Sequence, residues 1–476
     1  MKITILKSKE NLVWVSMNEI IPWIIRLWER WGRERGHEVQ VIDVDGRSPA
    51  TLFPVLFQSD LVVITSFTTS IARLIYLAMG RLGIPIRCAF YLHNQATIAC
   101  WPLFEWKMGE ALSTHDVFVG SCERDRISME ACFENAVTKV HPFSLPEFSE
   151  DVTPPPATEA VDFVFIGRIS PQKNLHTLLW SLYLLKLEEP ELRWTMTFYG
   201  GEDHYGAPLM GIGDNEYQKF LTEIVRWLKL TDRVQFRGFQ DRELIQKELD
   251  THQRIFVVPS LHSDENFGMA AFRCLSQGHK VVLSDWGGHG DYRRHFPDNL
   301  FLVPVRESKM GPVVDSIELT NALLRAAKTR VDHRKNSGHY HDRELFRSLD
   351  DITSPGNGKP EKLRRSALGT RIHEKWRKFN DLEKAEIQDD GKRIRGCRIF
   401  EDFFDPDSFA LFRAYGMGLP LRERTGPVIR APWVFPTPDH LKVHDPMKGV
   451  TLLPYTTKSE EDQWLYEHGY ASPLED

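Results

Sequence analysis

Short apolar runs alternate with longer amphipathic stretches over the first two thirds of the chain. Met1–Leu6 (MKITIL) reads as a buried strand, and Asn18–Arg35 follows with helical spacing. His37–Asp43, Asp60–Thr65, Arg87–Leu92 and Val117–Val119 repeat the strand pattern, each set off by polar or helical residues. This alternation predicts a parallel sheet with crossover helices, closing near Pro142.

Ser144–Ala160 (SLPEFSEDVTPPPATEA) interrupts the pattern with three consecutive prolines and four carboxylates, the composition of a semi-extended linker. The alternation then restarts. Strands are expected at Asp162–Ile166, Trp194–Tyr199, Val234–Phe236, Arg254–Val258 and Lys280–Leu283, and helices at Asn174–Leu187 and Asn215–Leu228. The expected organisation is a Rossmann-like domain over 1–143, a linker over 144–160, a second Rossmann-like domain over 161–330 and an extension over 331–476. In the extension, Gly369–Gln388 reads as helical. Pro420–Pro454, rich in proline and aromatics, reads as an irregular segment. Part of the extension is expected to pack back on the first domain. Ligands are expected in the crevice between two doubly wound domains, at the carboxyl ends of the strands.

Composition narrows the class. With 42% hydrophobic residues among 476, the chain can bury a core, which excludes a disordered or fibrous protein. The formal net charge of −6 provides no global basic field, so nucleic acid is not an expected partner. Six scattered cysteines without a CxxC pair argue against a disulfide scaffold or structural zinc. The first residues lack a signal-peptide apolar core and no run of 18 apolar residues occurs, so a cytoplasmic protein is expected.

Three patches carry candidate chemistry. Gly167–Asn174 (GRISPQKN) follows a strand and opens a helix. Gly167 permits a tight turn, and Arg168 and Lys173 put two cations beside a helix N-terminus, a setting for a diphosphate. Pro259–Met269 (PSLHSDENFGM) leads a polar loop into a helix whose first N–H groups can bind phosphate or a sugar hydroxyl, and Glu265 can accept from sugar hydroxyls. Ser284–Asp291 (SDWGGHGD) has three glycines in four positions, allowing close backbone approach. Read singly, each is also an ordinary strand–helix turn, helix cap or flexible loop.

Together the patches resemble the C-terminal half of GT-B glycosyltransferases, specifically retaining family 4. GRISPQKN is similar to that family's GRLxxxKG/N and RVQFRGF to its strand-plus-glycine segment. PSLHSDENFGMAAFRC is similar to PSxxEGFGxxxxEA and DWGGHGD to GGxxE, in the same order across Phe163–Asp291. The resemblance implies a metal-independent transferase acting on a nucleotide-diphosphate sugar. Arg168 and Lys173 would neutralise the diphosphate, while Glu265 and the amides of Asn266, Phe267 and Gly268 would hold sugar and phosphate. The backbone at Gly238–Phe239 would contact the base. FYLHNQ resembles the family's strand-ending histidine, which makes His93 the candidate beside the reacting carbon. The acceptor implied is a hydroxyl of a glycan or glycolipid, with the cell envelope as destination.

Two departures qualify the carry-over. Where the family has a second glutamate for the ribose, this chain has Arg273, a guanidinium with donors and no acceptor. The N-terminal glycine-rich loop is replaced by KSKENLVW. The alternatives are a GT-B pseudoenzyme that binds glycan or nucleotide as a scaffold, and a GT-B phosphorylase or sugar-nucleotide hydrolase.

Weaker signals favour ordinary structure. Asp43-Val44-Asp45 has the form of a DxD metal motif but ends a strand. Trp23, Trp28 and Trp31 with Arg26, Arg30, Arg33 and Arg35 read as the first crossover helix, with peripheral contact at the inner membrane face as the alternative. His339, His341 and Asp342 have metal-ligand chemistry in a stretch that reads as a solvated loop.

Overall fold

The computed structural model describes residues 1–9, 15–93, 111–145, 148–170, 173–201, 216–261, 265–308, 311–331, 334–335, 337–354, 359–371, 374 and three strands between 433 and 454. These residues divide into two compact units. One takes the residues up to Phe148 with those from Ser337 to Glu374; the other takes those from Ser149 to Lys335 with the three late strands.

The first unit is built on six parallel strands: β1 (Lys2–Lys7), β2 (Glu38–Asp43), β3 (Leu61–Ile64), β4 (Cys88–Leu92), β5 (Val117–Gly120) and β6 (Val137–Val140). Their order is β2-β1-β3-β4-β5-β6. Strands covered on both faces need no polar alternation, and β3, β4 and β5 are buried at every position. The crossovers are α1 (Val15–Arg35), α2 (Pro49–Phe57), α3 (Thr69–Ile75) and α4 (Glu123–Cys132). On α1, Leu27, Trp28 and Trp31 are buried, and the Trp28 indole donates to Tyr91 Oη at 2.9 Å. These two tryptophans are therefore core residues.

The second unit opens with β7 (Asp151–Val152), β8 (Val161–Ile166), α5 (Leu175–Glu188), β9 (Trp194–Tyr199), α6 (Glu216–Trp227) and β10 (Val234–Gly238). It continues through α7 (Arg242–Leu249), β11 (Ile255–Val258), α8 (Met269–Ser276), β12 (Lys280–Ser284) and β13 (Leu300–Val303). The hairpin β14 (Val305–Ser308) and β15 (Gly311–Val314), α9 (Ser316–Lys328) and β16 (Arg334–Lys335) follow. The main sheet is parallel in the order β10-β9-β8-β11-β12-β13. The chain steps outward from β8 to β10, then crosses back to start β11 on the other side of β8. That reversal leaves a crevice at the carboxyl ends of β8 and β11, where doubly wound sheets bind ligands. β7, within the stretch expected to be bare linker, pairs antiparallel with β16. The second unit thus runs to Lys335, past the expected boundary at 330.

The chain beyond Ser337 belongs first to the N-terminal unit, through α10 (Asp342–Thr353). Asp350 accepts from Trp31 Nε1 at 2.8 Å and pairs with Arg35 at 2.8 Å, and Asp342 pairs with Arg30. At the C-terminal end of the helix, the Arg87 guanidinium donates to the carbonyls of Ile352, Thr353 and Ser354 at 2.9, 2.7 and 2.8 Å. A cation here satisfies carbonyls that the last turn leaves unpaired and opposes the negative end of the helix dipole. Residues 359–371 then pass the C-terminal end of α4: Glu134 N donates to Arg364 O at 2.9 Å, and a Cβ on Gly369 would meet Cys132 O at 2.2 Å. Part of Pro420–Pro454, expected to be irregular, instead forms an antiparallel sheet of β17 (Trp433–Pro436), β18 (His440–Asp445) and β19 (Gly449–Pro454). Its prolines stand at strand ends, where a missing N–H costs no ladder bond. Most of Gly369–Gln388 lies outside the described residues.

Candidate active site

Strands β8, β11 and β12 are neighbours in the sheet, so the turns that leave them meet at one edge. The Lys173 ammonium, from the turn after β8, lies 2.5 Å from Glu265 Oε2, from the loop after β11. Glu265 O in turn accepts from Gly288 N at 2.8 Å, in the turn after β12, and His289 Nε2 lies 3.7 Å from Glu265 Oε1. The patches of Lys173, Glu265 and His289 thus form one constellation, with Glu265 and His289 both buried. Burial keeps His289 below the ordinary histidine range; Glu265 pulls it upward, while Lys173 pushes it further down. Beneath them Ser284 Oγ donates to Ser260 O at 2.5 Å, Tyr292 donates to Phe267 O, and Phe267 packs against Phe272 and Tyr292. Ser170 and Lys173 are described, but Pro171, Gln172 and His262–Asp264 lie outside the described residues.

The two helix N-termini are not equivalent. At α5, Tyr217 Oη accepts from Leu175 N at 3.1 Å and His176 N at 3.3 Å. The first N–H groups of the helix after Lys173 are therefore spent on a phenol, which corrects the expectation that this terminus is open to a diphosphate. Tyr217 is 41 residues away in sequence, and no local pattern signals it. At α8 the N-cap is Gly268, which has no side chain to cap the terminus and is left-handed at φ 70°. A Cβ at Gly268 would meet His289 Nε2 at 3.0 Å, so the missing side chain is what admits the imidazole. Of the expected donor amides, Phe267 N is already taken by Asn266 Oδ1 at 2.9 Å. Gly268 and the first turn of α8 remain the natural anion site.

A second feature lies along the carboxyl ends of β8, β9 and β10. Gly167 N donates to Tyr199 O, Ile169 N to Gly201 O and Gly200 N to Gly238 O, each at 2.9 Å. At Gly200 a Cβ would fall 1.7 Å from Gly167 O, so this contact tolerates no side chain. The result is a bare backbone ledge beside partly buried Arg168, with Phe239 65% exposed at its far end. Arg273 is partly buried on α8, five residues after Gly268.

In the first unit His93 ends β4, with Nε2 against Thr65 O at 2.5 Å and Nδ1 without a hydrogen-bond partner among the described residues. Burial lowers its pKa to about 4, so the ring is neutral near pH 7. Asp45, of the DxD-like triplet, accepts from Ser8 Oγ and Lys9 N, both at 2.7 Å. Its carboxylate anchors the turn after β1. Asp342 is paired with Arg30, and among the described residues no group of three or more His, Cys, Asp or Glu could hold a metal ion. No described helix is long and apolar enough to cross a membrane.

In doubly wound sheets ligands bind at the switch point, where this unit places a glycine-led helix and a lysine–glutamate pair. Residues 150–328 match the family described as glycosyl transferases group 1. The chain is similar to the uncharacterized glycosyltransferase YqgM of Bacillus subtilis, at 32% identity over 27% of this chain and 31% of the relative. It is also similar to the uncharacterized glycosyltransferase MJ1607 of Methanocaldococcus jannaschii, at 23% identity over 32% of this chain and 35% of the relative. The match thus spans about a third of these relatives. Among solved structures, the lipopolysaccharide outer core galactosyltransferase WaaB in its apo form superposes with a TM-score of 0.47 and 13% identity, over 74% of this chain and 95% of that one. Anabaena Alr3699/HepE in complex with UDP gives a TM-score of 0.47 at 13% identity, over 80% and 100%.

Proposed function

We propose that the chain is a retaining glycosyltransferase that moves a sugar from a nucleotide-diphosphate donor to a hydroxyl acceptor. The observation that carries this reading is the meeting of Lys173, Glu265 and the glycine-led N-terminus of α8 at the β8/β11 switch point. Lys173 and Arg168 would balance the diphosphate as charge builds on the leaving group, a task that positive charge with N–H groups can perform without a metal. Glu265 would accept from the sugar hydroxyls, and Phe239 on the glycine ledge would lie against the base. His93, neutral at pH 7, would serve the acceptor. Neutrality suits a positioning hydrogen bond rather than charge stabilisation. The departing phosphate oxygen would take the acceptor's proton, so no second carboxylate is needed. A glycan or glycolipid of the cell envelope is the proposed acceptor, at the cytoplasmic face of the membrane.

The test is calorimetry against UDP-, GDP- and ADP-sugars, followed by mass spectrometry for turnover with hydroxyl acceptors. Binding of one donor, weakened tenfold or more by Lys173→Ala, supports the reading; binding of none overturns it. Arg273 motivates the second reading, a scaffold that binds without turnover. Donor binding with neither transfer nor hydrolysis would select that scaffold.

A further inference from the structure

We propose that His289 is a positioning residue for Glu265: it takes up a proton as the donor's diphosphate draws Lys173 away, and the imidazolium then holds the carboxylate. This inference rests on the donor reading above and extends it to a residue outside the phosphate- and sugar-binding set.

The geometry is specific. Glu265 presents its two oxygens to different groups, Oε2 to Lys173 at 2.5 Å and Oε1 to His289 Nε2 at 3.7 Å. At 2.5 Å the ammonium is committed to the carboxylate; at 3.7 Å the imidazole is in ionic range but beyond a hydrogen bond. A diphosphate needs the same ammonium. When Lys173 turns to it, buried Glu265 loses that ion pair, and weakening the counter-charge of a buried carboxylate is costly. His289 is a described neighbour that can supply a charge in its place by taking up a proton.

The surroundings of His289 set the sign. The charged groups that act on it are Glu265 from the loop before α8, Lys173 from the turn after β8 and Asp285 at the end of β12. Lys173 opposes protonation, whereas Glu265 and Asp285 favour it, and burial opposes it most. Neutralising Lys173 with a diphosphate removes one opposing charge and adds negative charge nearby, so both changes push the imidazole toward its charged form. Gly268 keeps the approach open: a Cβ there would reach 3.0 Å from Nε2. Binding that takes up a proton must strengthen as pH falls, by linkage.

Two measurements decide the matter. Isothermal titration of the full chain with UDP-, ADP- and GDP-sugars, whose diphosphate diesters do not titrate near neutral pH, in buffers of differing ionisation heat between pH 6 and 8, should show uptake approaching one proton per nucleotide. Affinity should rise up to tenfold per pH unit of acidification. His289→Gln should bind with a buffer-independent heat and a flat pH profile. Separately, NMR titration of the histidine rings, with His289 assigned by its loss in His289→Gln, needs no nucleotide. In Lys173→Met the His289 transition should move up by about one pH unit or more. If no nucleotide binds, the donor reading fails while the Lys173→Met titration still decides the coupling. Nucleotide binding without proton exchange, or a His289 transition unmoved by Lys173→Met, overturns the proposal.

Discussion

Lys173 Nζ and Glu265 Oε2 lie 2.5 Å apart although 92 positions separate them in sequence. With side-chain exposures of 14% and 10%, they form a nearly dry ion pair. Removing one partner of such a pair strands the other charge. Lys173→Met should therefore cost about 3 kcal/mol in urea unfolding, and Lys173→Met/Glu265→Gln should recover most of it. A double substitution as unstable as the single one would show that the pair contributes through packing instead of charge.

Gly268 and Gly238 separate two effects that a glycine substitution usually mixes. Both are left-handed, at φ 70° and 65°, but only Gly268 has a neighbour, His289, within reach of a Cβ. Gly238→Ala should cost about 1–2 kcal/mol from backbone strain alone. Gly268→Ala should cost more and should also displace His289. Thermal unfolding of the two variants gives the comparison, and equal losses would remove the packing argument.

Arg87→Met should release the C-terminus of α10. Three charge-assisted bonds to the carbonyls of residues 352–354 are lost, and a loss of about 2–3 kcal/mol is expected. Amide exchange should accelerate first in 345–354 while β8, β11 and β12 keep their protection. Uniform acceleration across both units would contradict a local role.

Acid should act unequally on the two units. In the second, burial lowers His176 to about 3 and His279 to about 4. Each is neutral when folded and charges when unfolded, so its contribution is present above pH 6.5 and is lost as pH falls toward 4. In the first, His93 at about 4 and His141 at about 3 behave likewise. There, however, burial raises Asp116 to about 6 and Asp125 to about 7, so their contribution is present at low pH and is lost as pH rises through those values. Between pH 6.5 and 4.5 the two aspartates offset part of the histidine loss in the first unit, to which lowered His37 and His339 add, whereas the second unit's His176, His279 and His289 meet no raised carboxylate among the described residues. Hydrogen exchange at these two pH values should show the second unit opening first.

Much of this site could be read from sequence because its parts are contiguous. GRISPQKN, DENFG and DWGGHGD are each a strand exit, and strand exits of one doubly wound sheet converge. What escaped reading depends on single long-range contacts. Tyr217 reaches the N-terminus of α5 from another helix, and Arg87 meets α10 across more than 260 residues. His289 stood inside a glycine patch where only its distance to Glu265 reveals a partner. The strands of 433–454 were obscured because prolines at their ends mimic the composition of an irregular stretch.

The return of α10 to the first unit also imposes an order on synthesis. Arg87, Trp31 and Arg35 emerge from the ribosome early, but Asp350 and the carbonyls of 352–354 follow only after the whole second sheet has been made. Domains made first ordinarily fold first. Here the second unit can complete its sheet while the first still waits for its last helix. The N-terminal half is finished by a segment some two hundred residues downstream. A chain cut before Asp342, or a chimera that exchanges only 1–148, would carry the first sheet without the helix that closes it.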